Sequence, residues 1–227
     1  MPYQSDNLYE VILRRIDRKG VWDMIVVDGV VGVGKSTLMG LIAERGYVSF
    51  EEPVVDNPIL EKFYYDRERY SFPLQVFFLN KRFKHIKEAS AIANSVMDRS
   101  IYGDVIFAKM LCDKGEMSVE EFDLYRELLE NMLEHVQPPK LMIYLEVSVD
   151  EAMSRIKKRG RDYEQVVERA YWEKLNEEYR KYFYSYDVSP ILKINVDGLD
   201  FENNDKDREY VMGLIEQRLR EIEEKQA

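Results

Sequence analysis

Apolar positions along this chain follow two patterns that alternate. Short apolar runs of strand length occur at Met24-Ile25-Val26-Val27, Tyr47-Val48-Ser49-Phe50, Ser95-Val96-Met97-Asp98, Leu141-Met142-Ile143-Tyr144-Leu145 and Ile191-Leu192-Lys193-Ile194-Asn195-Val196. Between them, apolar residues recur every three or four positions among charged ones, as on amphipathic helices. The periodicity predicts helices over 37–44, from the Asn57-Pro58 start to 65, and over 71–91, 101–113, 119–136, 166–183 and 206–225. Gln137-Pro138-Pro139 stops one of them, and Ser148-Val149-Asp150-Glu151 reads as a capping box opening a further helix that ends at Gly160. Leu8, Val11, Ile12 and Ile16 are spaced for a short amphipathic helix lying on the domain or on a partner. Alternation of this kind argues for an α/β fold, with a parallel sheet of about five strands covered by helices on both faces. No repeat or long linker interrupts it. The expected organisation is one domain over 21–227, preceded by a helical extension over 1–20.

Composition narrows the classes. The 227 residues suit one domain with a substantial core, and the formal net charge of −10 disfavours bulk attraction to nucleic acid or an anionic membrane. No apolar run approaches the ~20 residues of a membrane span. The first twenty residues carry Asp6, Glu10 and Asp17 and resemble neither a secretory signal nor a transit peptide. Cys112 is the single cysteine, so no internal disulfide forms and a reducing, cytoplasmic setting is expected. It reads as a small buried apolar side chain. His85 and His135 lack metal-ligand spacing.

The strongest motif is Gly29-Val30-Val31-Gly32-Val33-Gly34-Lys35-Ser36, a G-x-x-x-x-G-K-S phosphate-binding loop, with Thr37 following. It stands between a predicted strand and a predicted helix, the context it requires. Glycines let backbone N–H groups converge on an anion, and the helix N-terminus adds partial positive charge. Lys35 is placed to reach the outer phosphates of a nucleotide and Ser36 to ligate Mg²⁺.

A phosphate loop does not identify the acceptor, so the other polar residues matter. Glu52 follows a predicted strand at the edge where α/β sheets build sites; Glu51 is its rival, and the register of Pro53 favours Glu52. Asp98 ends another strand, where a carboxylate can meet Mg²⁺ directly or through water. Gln75 and Arg82, seven apart, fall on one helical stripe about 20° from each other with Phe78 and Leu79 between. Buried there, they need polar partners, and a nucleobase edge suits an amide. Arg155-Ile156-Lys157-Lys158-Arg159-Gly160-Arg161 is the densest basic run in an acidic chain. A charge run is usually a solvated face, but this one sits at a helix end just before Glu164.

Taken in order, Glu52-Pro53-Val54 with Asn57-Pro58, Phe72-Pro73-Leu74-Gln75, Asp98-Arg99-Ser100 and Lys158-Arg159-Gly160-Arg161 resemble the deoxyribonucleoside kinase family, especially its bacterial deoxyadenosine and deoxyguanosine kinases, from about Ile25 to Ile222. The resemblance implies a phosphate-loop fold with an Arg-rich lid, ATP and Mg²⁺ as cosubstrate and metal, and a homodimer packed through helices. It makes Glu52 the general base for a nucleoside 5′-hydroxyl, positioned by Arg99. Gln75 would bind the base, with Arg82 and Asp104 paired to read it. Tyr64 and Glu164 would hold the 3′-hydroxyl, and Phe107 would stack on the base. The basic run would be a lid over ATP, with Arg155 and Arg159 on the nucleotide and Arg159 and Arg161 clamping the moving phosphoryl group. A thymidylate-kinase-like nucleoside monophosphate kinase is the rival enzyme, and would need extra cations for the acceptor's own phosphate. A nucleotide switch would want a guanine-reading Asn-Lys-x-Asp; Asn80-Lys81-Arg82-Phe83 lacks the Asp.

Overall fold

The computed structural model describes residues 8–14, 22–52, 57–165 and 167–226. Their elements run α1 Leu8–Leu13, β1 Trp22–Asp28, α2 Lys35–Ala43, β2 Val48–Phe50, α3 Leu60–Tyr65, α4 Arg67–Ala89, β3 Ser95–Asp98, a 3₁₀ turn Ile101–Gly103, α5 Asp104–Asp113, α6 Val119–Leu133, β4 Pro139–Glu146, α7 Val149–Arg159, α8 Asp162–Gln165, α9 Arg169–Ser185, β5 Ile191–Asn195 and α10 Asp205–Gln226. The five strands form one parallel sheet in the order β2-β3-β1-β4-β5. β1 lies at its centre, flanked by β3 and β4, which is why Met24, Ile25, Val26 and Val27 are apolar without alternation and almost wholly buried. The polar ends of β1, β2 and β3 therefore emerge side by side at one sheet edge.

Several boundaries differ from the sequence reading, each for a local reason. α4 begins at Arg67 rather than 71 because Asp66 caps it, accepting from the Arg69 N–H at 3.3 Å. Pro73 then lies inside the helix, not in its first turn. Asn57 caps the next segment as expected, accepting from Ile59 and Leu60 N–H groups at 2.9 and 3.1 Å. The Ser148 capping box is only half formed. Ser148 accepts from Glu151, but its own N–H goes to Asp197 at 2.8 Å and the Glu151 carboxylate turns to Arg155. A complete box stands instead at Ser118 and Glu121. Gly160 ends α7 in the left-handed conformation, φ 72°. The helix expected from 166 starts at Arg169, and position 166 lies outside the described residues. Cys112 is half-buried, not buried. α1 packs on α9 with Leu8, Ile12 and Leu13 inside the core; Ile16 is outside the described residues.

Candidate active site

The phosphate loop closes on itself. Gly34 opens α2 at φ 105° with no side-chain cap, so the first-turn N–H groups stay available to an anion. A Cβ at Gly34 would stand 2.8 Å from the Phe201 ring, and one at Gly32 (φ 82°) 2.8 Å from the Ala152 carbonyl oxygen. Only glycine fits either place. Lys35 bends back to donate to the Gly29 and Val30 carbonyls, each at 3.1 Å. Burial, helped by the neighbouring Arg99 charge, draws its ammonium down to about 8. Val30 and Val33 are buried, anchoring the loop from below, while Val31, Ser36 and Thr37 face a cavity of about 720 Å³.

Three strand ends supply the polar wall of that cavity. Glu52, two residues past β2, sets one carboxylate oxygen 2.9 Å from Arg99 Nε and 2.9 Å from Arg82 Nη2. Arg82 also pairs with Asp104. Burial pushes the Glu52 carboxyl up, but Arg99, Arg82 and Lys35 together outweigh it and hold the group at about 2. Glu51 is exposed and Glu52 is the paired carboxylate; Pro53 lies outside the described residues. At the end of β3, burial raises Asp98 to about 6 against the pull of Lys35. Its Oδ1 is buried with no hydrogen-bond partner among the described residues.

Gln75, on α4, is buried one turn from Phe78 and lines the cavity with Tyr64 and Phe107. Phe107 faces the Arg99 guanidinium at 5.2 Å and meets Tyr179 edge-on. Glu164, 4% exposed, is straddled by Arg159 Nη2 at 2.6 and 2.7 Å and approached by Arg161 at 3.5 Å. The expected lid arginines and the expected sugar ligand are thus in contact with each other. Arg155, expected on the nucleotide, lines the cavity and is also bonded to the scaffold. It donates to Glu151 at 2.9 Å and to the Val33, Val196 and Leu199 carbonyls at 3.0, 3.0 and 3.1 Å. Those bonds tie the phosphate loop to the segment after β5 and leave little of the guanidinium for a ligand.

Two residues in the site escaped the sequence reading. Asp28 ends β1 and accepts from Gly29 N–H, Ser100 N–H and the Ser100 hydroxyl at 2.8, 3.0 and 2.9 Å, joining the phosphate loop to the Asp98-Arg99-Ser100 turn. A carboxylate closing an apolar strand directly before the glycine turn was the available signal. Tyr179 on α9 accepts a hydrogen bond from Arg99 Nη1. As one of 16 tyrosines it carries no local signature.

A central parallel strand running into a glycine loop, with paired carboxylates and guanidiniums beside it, defines a phosphate-loop phosphotransferase. Comparison with known proteins is specific. The deoxynucleoside kinase family model matches residues 25–220, and the chain belongs to that family. It is 42% identical over 209 residues to a deoxyguanosine kinase of Lactobacillus acidophilus, covering 88% of this chain and 92% of the relative. It is 41% identical over 197 residues to the deoxyadenosine/deoxycytidine kinase of Bacillus subtilis, covering 85% and 91%. The solved deoxyadenosine kinase from M. mycoides with products dCMP and a flexible dCDP bound superposes with a TM-score of 0.77 at 33% identity, covering 86% of this chain and 99% of that one.

Proposed function

We propose that this enzyme transfers the γ-phosphoryl group of ATP to the 5′-hydroxyl of a purine deoxynucleoside, deoxyadenosine or deoxyguanosine, with deoxycytidine a further acceptor. The observation that carries the reading is the Glu52 carboxylate held between Arg99 and Arg82 beside the phosphate loop. The 5′-oxygen attacks the γ-phosphorus, the bond to the β–γ bridging oxygen breaks, and the hydroxyl proton passes to Glu52. Arg99 fixes the direction of that carboxylate. Lys35 and the first-turn N–H groups of α2 hold the donor phosphates, and Arg159 and Arg161 neutralise charge on the group in flight once they leave Glu164. Gln75, Arg82 and Asp104 meet the base, Phe107 flanks it, and Tyr64 and Glu164 meet the 3′-hydroxyl.

Ser36 and Asp98 both line the cavity, and one Asp98 oxygen is buried without a hydrogen-bond partner among the described residues. Few, hard oxygen donors beside a polyphosphate site suit Mg²⁺, which keeps most of its ligands as water and phosphate. When bound, the ion offsets phosphate charge.

The acceptor end favours an uncharged nucleoside over a nucleoside monophosphate. Arg82 and Arg99 are already matched there by Glu52, Asp104 and Asp28. The reading also includes a homodimer in a reducing cytoplasm. No helix among the described residues is long and apolar enough to cross a membrane. ATP consumption against deoxynucleosides and their monophosphates tests the proposal. Purine deoxynucleosides are expected to turn over and monophosphates not; preference for thymidine monophosphate would overturn it.

A further inference from the structure

Helix α1 lies ahead of the stretch that matches the family, and the chemistry above gives it nothing to do. It is nonetheless firmly seated, with Leu8, Ile12 and Leu13 buried. Its Tyr9 hydroxyl donates to Glu178 Oε2 at 2.6 Å, and its ring stands edge-on to Tyr182 at 5.2 Å. Both partners belong to α9. Tyr179 lies between them, fully buried, and its hydroxyl accepts from Arg99. We infer that α1 is a positioning element of the active site: Tyr9, gripping α9 on either side of Tyr179, sets where Tyr179 holds the Arg99 guanidinium against Glu52. This inference rests on the roles proposed for Arg99 and Glu52.

Glu178 is a carboxylate only 2% exposed. Oε1 takes Lys174 at 2.9 Å and Lys181 at 3.4 Å, both from its own helix. Oε2 has Tyr9 at 2.6 Å, with Lys109 of α5 farther off at 3.9 Å. The short contact that fixes this buried oxygen therefore comes from α1, and Lys109 links the same oxygen to the helix carrying Asp104 and Phe107. Tyr179, Tyr182 and Phe183 form one stripe at i, i+3 and i+4, so a tilt of α9 moves them together.

Arg99 is sensitive to such a tilt. Its backbone is left-handed, φ 65°, a conformation that side chains with a Cβ rarely adopt. Its side chain is aimed by Glu52 at 2.9 Å, the Gly29 carbonyl at 3.3 Å and the Tyr179 hydroxyl. Loss of the hydroxyl leaves a buried guanidinium N–H without its acceptor and frees the head group to turn.

Steady-state kinetics on the full chain test this with Tyr9→Phe, Tyr179→Phe and the double variant, each keeping its ring. Tyr179→Phe is expected to lower kcat by about 10- to 100-fold, the range for a hydrogen bond to a charged group, with KM for ATP within about threefold. Tyr9→Phe is expected to lower kcat by roughly 3- to 10-fold, again with little change in KM. On the Tyr179→Phe background Tyr9→Phe should add less than about twofold, because the route to Arg99 is already cut. Independent multiplication of the two effects, or a Tyr9→Phe enzyme that loses thermal stability while kcat stays within about twofold, would overturn the inference. If Tyr179→Phe does not fold, Tyr9→Phe decides alone. Rates are taken relative to wild type on its best acceptor. A wrong acceptor assignment then shows as a wild type inactive on purine deoxynucleosides, whereas failure of the inference shows as equal kcat in wild type and variants on whichever acceptor is used.

Discussion

Replacing Glu52 by Gln separates what its charge does for the fold from what it does for the reaction. Burial raises the Glu52 carboxyl, Arg99, Arg82 and Lys35 reverse this, and it titrates at about 2 against an ordinary 4.5. A carboxylate lowered in the folded state contributes stability that is fully present above pH 4.5 and is lost as pH falls through about 2. The shift is worth about 3 kcal/mol. Glu52→Gln forfeits that at neutral pH, although Arg82 keeps Asp104 and Arg99 keeps Asp28 at 4.0 Å, so neither cation is stranded. A melting-temperature drop of about 6–12 °C follows for a chain of this size. The same low pKa makes Glu52 a weak base. In the loose transition state of phosphoryl transfer the nucleophile's proton leaves late, so base strength counts less than position. We therefore expect kcat to fall by about 10²-fold, the lower end of the general-base range, with KM for ATP little changed. Coupled ATP-consumption assays with deoxyadenosine, run below the variant's melting point, measure both parameters. A folded Glu52→Gln enzyme with kcat within about tenfold of wild type would refute the assignment of the proton to this carboxylate.

Burial, and then the Arg99 charge, lower Lys35 from 10.5 to about 8. The cost of keeping it charged in the fold is thus fully present below pH 8 and gone above 10.5. kcat/KM for ATP should decline as pH rises past 8, while wild type gains up to about 3 kcal/mol of stability relative to Lys35→Met between pH 8 and 10.5, measured by urea unfolding. Arg82→Met leaves Asp104 buried and unpaired and should cost about 3–5 kcal/mol; adding Asp104→Leu should recover much of the stability but none of the rise in deoxynucleoside KM.

Local chemistry was legible in the sequence and distant chemistry was not. The phosphate loop is contiguous, so eight residues specify both its shape and its anion site. The sheet was legible because β1 and β4, buried on both faces, carry the apolar runs Met24-Ile25-Val26-Val27 and Leu141-Met142-Ile143-Tyr144-Leu145, whereas β3, Ser95-Val96-Met97-Asp98, is buried throughout but only half apolar. The start of α4 was not, because Asp66-Arg67-Glu68-Arg69 has no apolar residue to show a helical period. The pairing of Glu52 with Arg99 and of Arg82 with Asp104 was expected, since resemblance supplied partners that spacing alone could not. Tyr179 lies 80 residues from Arg99, and Asp28 lies 72 from Ser100. Neither contact leaves a periodic trace, because only the folded sheet brings those segments together. Arg155 is a similar case: the resemblance implied a nucleotide contact, while its bonds to three distant scaffold carbonyls left no trace in the sequence.

The charge balance of the cavity supports the lid role proposed for the basic run of this acidic protein. Around the phosphate loop three cations, Lys35, Arg82 and Arg99, face four carboxylates, Asp28, Glu52, Asp98 and Asp104, and each cation already touches a carboxylate or a backbone carbonyl. Asp98 is raised to about 6 chiefly by burial, with the Glu52 and Asp28 carboxylates adding to it against the pull of Lys35 and Arg99. A triphosphate entering this site meets little spare positive charge, within a chain of formal net charge −10. On the proposed reading the Lys158-Arg159-Gly160-Arg161 segment, which lines the same cavity, supplies further positive charge; Arg159 and Arg161 are docked on Glu164. Their release requires another partner for a carboxylate that is 4% exposed. The acceptor's 3′-hydroxyl is a suitable one, since it donates a hydrogen bond without adding charge. With the roles proposed above, charge balance couples the acceptor pocket to the donor lid through one buried glutamate, and favours an acceptor that is itself uncharged.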